Sequence, residues 1–411
     1  MAGKPEMSMS LTLKSAYRSA SKRERKMRLQ IQAAHDAGKK KRAAYLTSRY
    51  LNSYDAKFVA TVNAYRKLKP HRKAPSIKLK QIAENLDPWR GTQEKVILHW
   101  KQKKSNDAEH RPIMDFGLEN RSLQYLVKSV LTAQADLSPC QFDINGGRSA
   151  ASEAVLEALG QGYTWISEID IENFFPSVNG VKLTTLLSLP PEVTNHVVTS
   201  THLNILPGNI IRLFGYGSAS EWKGEEFDPV TTALSEARLG LAQGSASSSL
   251  VCEMLLEPVI SGLPDYGKAV SYADNILIMA RDKGDGVAMI KTLGHALLGH
   301  PAGPFLPIQI HPLGNNKEFD FLGYTFSRQF GECTAAPSAF NLGKFHYLLE
   351  RDLESLNEPS LSPATKRKIV QNLRRYVSSW TAAFSLWAES DEARKYALAL
   401  IKHAVIKHAA S

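Results

Sequence analysis

Cysteine is scarce in this 411-residue chain. Cys140, Cys252 and Cys333 stand far apart and form no CxxC pair, which argues against a disulfide framework and against a cysteine-based zinc site. Long apolar runs are also missing. The longest, such as Ile276 to Ala280, fall far short of the roughly 20 residues a bilayer crossing needs, and the N-terminus has no apolar signal-peptide core. A cytoplasmic protein without membrane contact is therefore expected. No internal repeat occurs, and no low-complexity segment is longer than a basic stretch at the N-terminal end. The rest is ordinary for a globular protein: 43% hydrophobic residues, in a chain long enough for two to three packed units.

Acidic residues are nearly absent from one end. Residues 1–80 hold 21 Lys or Arg against 4 Asp or Glu, a net of +17, whereas the remaining residues carry 30 against 36, a net of −6. Lys22, Arg23, Arg25, Lys26 and Arg28 are followed by Lys39, Lys40, Lys41 and Arg42, then by Arg66, Lys67, Lys69, Arg72 and Lys73. Tyr45, Tyr50, Tyr54 and Tyr65 lie between these groups. The pattern suits phosphate neutralisation with aromatic stacking on unpaired bases, so Lys22, Arg23, Arg25 and Lys39 to Arg42 are candidate RNA-binding residues. A solvated basic face without a ligand is the plainer alternative.

Residues 10–69, rich in Ala, Lys, Arg and Leu and free of proline, predict helix broken near Gly38, and Pro70 and Pro75 mark a linker. From about 95 to 160 the pattern is mixed, with helices over Glu119 to Ala135 and Ala150 to Leu159. Strands are expected at Trp165 to Ile171, Ala269 to Tyr272 and Ile276 to Ala280, separated by helical stretches such as Ser247 to Ile260. The tail is helical over Phe345 to Leu356, Pro363 to Trp387 and Asp391 to His408, with a break and N-cap signal at Ser360 to Pro363. An α+β fold follows.

Two segments carry chemistry. In the strand ending Glu168-Ile169-Asp170-Ile171, alternation places Glu168 and Asp170 on one face. Taken alone, an acidic strand end is more often a solvated edge. The second segment, Val270 to Met279, predicts two apolar strands joined by a tight hairpin tip at Ala273-Asp274-Asn275. Beside the first strand, Asp274 would complete a two-carboxylate pocket, the minimum for Mg²⁺ ions that also bind substrate phosphates. Between them, Leu241 to Ser249 is a small-residue loop running into a helix, where backbone can approach a nucleotide or template strand closely.

The order of these pieces, completed by Phe319-Asp320-Phe321-Leu322-Gly323-Tyr324, resembles the reverse transcriptase family over roughly residues 108–330. Upstream, Arg111-Pro112-Ile113, Arg121 with Gln124, and Asn145 to Ala150 resemble the fingers motifs of its group II intron-like bacterial branch. The resemblance implies a right-hand polymerase: a basic helical extension over residues 1–80, fingers over 81–160, a palm of antiparallel sheet plus helices over 161–335, and a helical thumb over 336–411. It implies Asp170 and Asp274 as metal ligands with the Ile171 carbonyl as a third, holding two Mg²⁺ ions or Mn²⁺, with Asn275 beside them. Phe175 would be the steric gate favouring dNTPs. Gln243 and Gly244 would contact the incoming nucleotide, Arg111 its triphosphate, and Lys317 the leaving pyrophosphate. Arg121 and Arg148 are either structural or template contacts. Three positions depart from the family pattern: Asn275 replaces the usual second aspartate, and Ala242 and Ala246 replace prolines. Asparagine keeps an oxygen ligand but loses a charge, which should weaken metal binding.

No endonuclease segment, RNase H domain or VTG signature is found, so the chain resembles the stand-alone, defence-associated (unknown group and abortive-infection) reverse transcriptases. That implies DNA synthesis against phage on a dedicated non-coding RNA, with a partner polymerase or a homo-oligomer as possible assembly. Two alternatives stand beside it: an RNA-dependent RNA polymerase, and a degenerate-palm RNA-binding subunit complementing an active partner.

Overall fold

The computed structural model describes residues 11–68, 78–102, 110–209 and 228–409. Lys69, Pro70, Arg72, Lys73 and Pro75 lie outside them. In chain order the first elements are α1 (Leu11–Asp36), α2 (Lys40–Asn52), α3 (Tyr54–Lys67), α4 (Leu79–Asn85), β1 (Lys95–Gln102), β2 (His110–Asp115), α5 (Leu118–Thr132) and α6 (Gly147–Gly160). They are followed by β3 (Trp165–Ile171), α7 (Phe174–Ser177), α8 (Gly180–Leu186), α9 (Pro191–Val193), β4 (Asn204–Pro207), α10 (Pro229–Glu236), α11 (Ser248–Ser261), β5 (Lys268–Tyr272), β6 (Asn275–Ala280) and α12 (Lys283–Leu298). The remainder comprises β7 (Pro307–Gly314), β8 (Glu318–Phe321), β9 (Tyr324–Gln329), β10 (Glu332–Pro337), α13 (Ala339–Ser355), α14 (Pro363–Ala383) and α15 (Ser390–Ala409). Among the described residues, no helix is long and apolar enough to cross a membrane.

Two compact units emerge, and both are discontinuous in sequence. The first takes Met1–Leu137, Ile171–Val259 and His295–Pro307. Its N-terminal helices break at Gly38, as their composition predicts, and again at Ser53. The Ser53 side chain accepts from Ala56 N and so caps α3. Phe58, Val62 and Tyr65 of α3 pack with Leu13 and Ala20 of α1, Leu79 of α4 and Leu118 of α5. Burying such side chains contributes roughly 1.5–3 kcal/mol each. A second core gathers Val96 and Leu98 of β1, Met114 of β2, Ile205 of β4 and Val230 and Leu234 of α10. There β1 pairs antiparallel with β2 and parallel with β4.

The second unit takes Ser138–Asp170, Ile260–Gly294 and Ile308–Ser411. Its main sheet runs β5-β6-β3-β7, and a smaller one runs β10-β9-β8. The central strand β6 is apolar on both faces and buried from Ile276 to Ala280, as a strand covered on both sides must be. Val270, Leu277 and Met279 of the large sheet and Phe319, Phe321, Tyr324 and Phe326 of the small one share one core with α6. The last three helices form a bundle around Phe345, Leu373, Val377 and Ile401. Ser362 caps α14 through Thr365 N ahead of Pro363, which bears out the expected break there. Trp380 stacks on Phe345 at 4.1 Å and is partly buried against the bundle core.

Candidate polymerase site

The carboxylates fall in the second unit. β3 and β6 run antiparallel in register from Trp165↔Ala280 to Ile169↔Ile276. The next residues along the two strands, Asp170 and Asn275, stand at the end of this ladder. β5 and β6 close on the pair Tyr272↔Asn275, so the hairpin tip is only Ala273 and Asp274, and Asn275 is the first residue of the strand. Ala273 has φ +53, a left-handed conformation that an alanine adopts at a cost of roughly 1–2 kcal/mol. Strain of this kind persists where the surroundings enforce it, and it turns the tip at Asp274.

Asp170, Asp274 and Asn275 are all partly buried, as is Glu168 two residues before Asp170. Burial, then the charge of Asp170, then that of Asp320 push the Glu168 carboxyl up to about 7. Both faces of β3 meet His311 of β7: Glu168 Oε2 lies 3.4 Å from His311 Nε2, and on the other face Ser167 Oγ donates to the His311 carbonyl at 2.8 Å. Sequence reasoning missed Asp320 and His311, which stand about 150 residues beyond the strand they influence. The polar alternation Gln309, His311 in an otherwise apolar β7 was the available signal.

The described residues contain no group of three or more His, Cys, Asp and Glu side chains poised around one metal. The acidic side chains at the strand end and the hairpin tip, Asp170 and Asp274, offer oxygen donors. This suits a hard cation such as Mg²⁺, which uses one or two carboxylates together with substrate phosphates.

Four of the five predicted nucleotide-binding residues, Arg111, Phe175, Gln243 and Gly244, fall in the first unit, and several are brought together there. The Gln243 carbonyl accepts from Met114 N at the end of β2, at 2.9 Å. Gly244 has φ +97, and a Cβ at that position would lie 2.7 Å from the Met114 carbonyl oxygen, so only glycine lets loop and strand meet. Gln124, buried in α5, accepts from Ala246 N at 3.0 Å and braces the other side of the loop. Gln243 is partly buried, and its Oε1 finds no hydrogen-bond partner among the described residues. The same loop begins at Leu241, whose N–H donates to the Phe175 carbonyl at 2.8 Å. Gly240 permits this approach, since a Cβ there would collide with the Phe175 carbonyl. Phe174 fills the core against Phe305, while Phe175 stays partly exposed, edge-on to Phe174. Asn173, left-handed at φ 47, makes the turn between strand and aromatic pair. Arg111 is exposed on β2, opposite Lys101.

In the second unit Lys317 is exposed between β7 and β8. Arg148 resolves as structural: its Nη2 donates to the Ala383 carbonyl at 2.6 Å and its guanidinium lies 4.5 Å over the Phe384 ring. Arg121 donates Nε to the Phe116 carbonyl at 3.4 Å.

Among the described basic residues, Lys22, Arg25, Lys26 and Lys39 to Arg42 are exposed. Arg23 is committed to a bidentate pair with Asp55 at 2.6 and 2.7 Å, tying α1 to α3. The expectation of interleaved stacking tyrosines is corrected for two of the four. Tyr50 is 1% exposed and donates to the buried Glu24, and Tyr65 is 3% exposed in the helical core. Tyr45 and Tyr54 remain at the surface.

The family described as reverse transcriptase (RNA-dependent DNA polymerase) matches residues 101–326, more than half of the chain. The chain belongs to the reverse transcriptase family. Its fold is accordingly a polymerase fold of mixed helices and sheets. No curated protein matches the sequence. Among solved structures, this reverse transcriptase is similar to the telomerase of Candida albicans in complex with a fragment of telomeric RNA, at 12% identity and a TM-score of 0.33. The match covers 79% of this chain and 63% of that one, so the chain spans less than two thirds of the telomerase it matches.

Proposed function

We propose that the chain synthesises DNA on an RNA template by nucleotidyl transfer at Asp170 and Asp274, as a right-hand polymerase with fingers over 81–160, palm over 161–335 and thumb over 336–411. The observation that carries this reading is the antiparallel register of β3 and β6, which brings a half-buried acidic strand end level with a hairpin tip bearing the second aspartate. Asp170, Asp274 and the Ile171 carbonyl would hold two Mg²⁺ ions. Bound there, the ions supply charge neutralisation and activation of a 3′-hydroxyl for in-line displacement of pyrophosphate. Asn275 contributes an uncharged oxygen beside them. Gln243 and Gly244 receive the nucleotide on a loop pinned by Met114 and Gln124, Phe175 excludes the ribose 2′-hydroxyl, and Arg111 and Lys317 carry cationic charge for the triphosphate and leaving group. The half-exposed position of Phe175, beside a Phe174 that fills the core, supports the gate role over simple packing.

The exposed cations of α1 and α2 support RNA binding by the extension. Service in antiphage defence, on a dedicated non-coding RNA in the cytoplasm and with a partner polymerase or a second copy, extends this reading through the motif resemblance alone. The test is synthesis by the purified protein with its co-purifying RNA, Mg²⁺ and dNTPs. DNA product from the wild type and none from Asp274→Ala is expected, whereas equal synthesis by both would sink the site assignment. An inert wild type that gains activity as Asn275→Asp would favour the degenerate-subunit reading.

A further inference from the structure

At the corner between α1 and α2 the first unit contains a cavity of about 560 Å³, within the roughly 300–1,000 Å³ usual for small-molecule sites. Its polar lining comes from three parts of the chain: His35, Lys40 and Thr47 from the corner and α2, Gln134 just after α5, and Thr185 and Ser188 around the end of α8. Two of these side chains are nearly sealed, Thr47 at 1% and Gln134 at 4% exposure. Gln134 Nε2 donates to Thr47 Oγ1 at 3.0 Å, which orients the amide, and Gln134 Oε1 has no hydrogen-bond partner among the described residues. A buried acceptor left without a donor is costly, and such atoms call for an explanation.

The charge around the cavity selects the ligand. No carboxylate lines it, whereas Lys40 does, and Lys39, Lys41 and Arg42 are exposed beside it. Asp36 lies 3.7 Å from His35 Nδ1, on the α1 side. Lys39 at the N-cap of α2 offers no side-chain cap, and although the Lys40 N–H donates to the Gly38 carbonyl at 2.9 Å, the positive end of the helix dipole adds to the potential. A bare cation is therefore disfavoured and an anion favoured. Leu186, Leu189 and Pro190 add an apolar part to the lining, against which a flat ring can pack.

We propose that this cavity binds one nucleotide, its phosphate toward Lys40 and the first turn of α2 and its base toward Gln134 and the apolar part of the lining. The proposal deepens the RNA-binding reading of the N-terminal helices and rests on it. The nucleotide is either a free nucleoside monophosphate or a residue extruded from bound RNA.

The experiment titrates the full-length protein by calorimetry with AMP and with inorganic phosphate, and with two RNA hairpins that differ by a single bulged nucleotide. Ser188→Trp closes the mouth of the cavity, and Lys40→Ala removes the cation with little risk to folding. We expect AMP to bind more tightly than phosphate, and each variant to weaken it at least tenfold. Ser188→Trp weakening the bulged hairpin but not the fully paired one identifies the RNA source, and loss confined to AMP identifies the free nucleotide. The proposal is overturned if wild type binds no AMP and does not distinguish the hairpins, or if both variants bind every ligand as wild type does. Failure of the underlying RNA reading shows separately: a Lys22→Ala, Arg25→Ala, Lys26→Ala variant, altered on α1 outside the cavity, would then bind hairpins as wild type does at every salt concentration, leaving the AMP titration to judge the cavity.

Discussion

The two concentrations of charge in this molecule are built on opposite principles. At the end of β3 a few carboxylates are crowded, partly buried and fixed by a sheet, so burial and like charge combine to push Glu168 up to about 7. On α1 and α2 many cations are exposed on one helical hairpin, and two acidic groups, Glu24 of α1 and Asp55 of α3, are spent on holding the helices together. The first arrangement concentrates function in single residues. The second spreads it, because screened surface charges each contribute little.

The sharpest way to break this contrast is Asp170→Ala. DNA synthesis should fall by at least about a hundredfold, since even outer-shell partners of metal ligands cost 10–100-fold. The fold should survive with its melting temperature unchanged or raised, because a like charge has left the neighbourhood of Glu168. A coupled loss of activity and structure would put Asp170 in a structural role. Next comes Glu168→Gln, examined in metal-free protein. A carboxyl raised from its ordinary value contributes stability that is fully present below pH 4.5 and lost as pH rises through about 7. The glutamine variant should therefore be more stable than wild type at pH 8, by roughly 2–3 kcal/mol, and the difference should vanish near pH 4. Urea denaturation at the two pH values measures it, and a constant difference would contradict the assignment.

On the basic helices the effects are smaller. Alanine at Lys22, Arg25 or Lys26 should each lower the slope of log affinity for RNA against log salt by about 1, with the melting temperature unchanged. Arg23→Ala should do the reverse, lowering the melting temperature through loss of the Asp55 pair while the slope holds. Identical behaviour of Arg23 and Lys22 would erase the distinction between structural and binding cations. The smallest expected effect is at the hairpin tip, where Ala273→Gly relieves a left-handed alanine and should stabilise the protein by up to about 1 kcal/mol.

What could be read from the sequence divides along similar lines. β3, β5 and β6 stand within a residue of their expected spans because apolar alternation and turn residues are local signals, and Asp170 and Asp274 were visible for the same reason. The break at Ser53 was hidden, since a serine inside a helix-forming run becomes a cap only through the backbone around it. β1 and β2 stayed unresolved within a mixed pattern, and β4 was not expected, because β1 acquires its parallel partner, Asn204 to Pro207, about a hundred residues away. Tyr50 and Tyr65 look in sequence like stacking residues among cations. Only the packing of α1, α3 and α5 decides that they face inward. The same applies to Asn275: its identity was plain, but its place in the ladder opposite Tyr272, instead of on the tip, depends on the register.

The contact between Arg148 and the Ala383 carbonyl joins residues 235 apart in sequence, and Tyr324 donates to the same carbonyl at 3.0 Å. It has a consequence for biosynthesis. The early segment bearing Asp170 shares its core with Phe384, so that core stays incomplete until α14 has left the ribosome. Such long-range closure is slow and late. A nascent chain that ends before residue 383 would thus carry Asp170 and Asp274 without the side chains that complete this core.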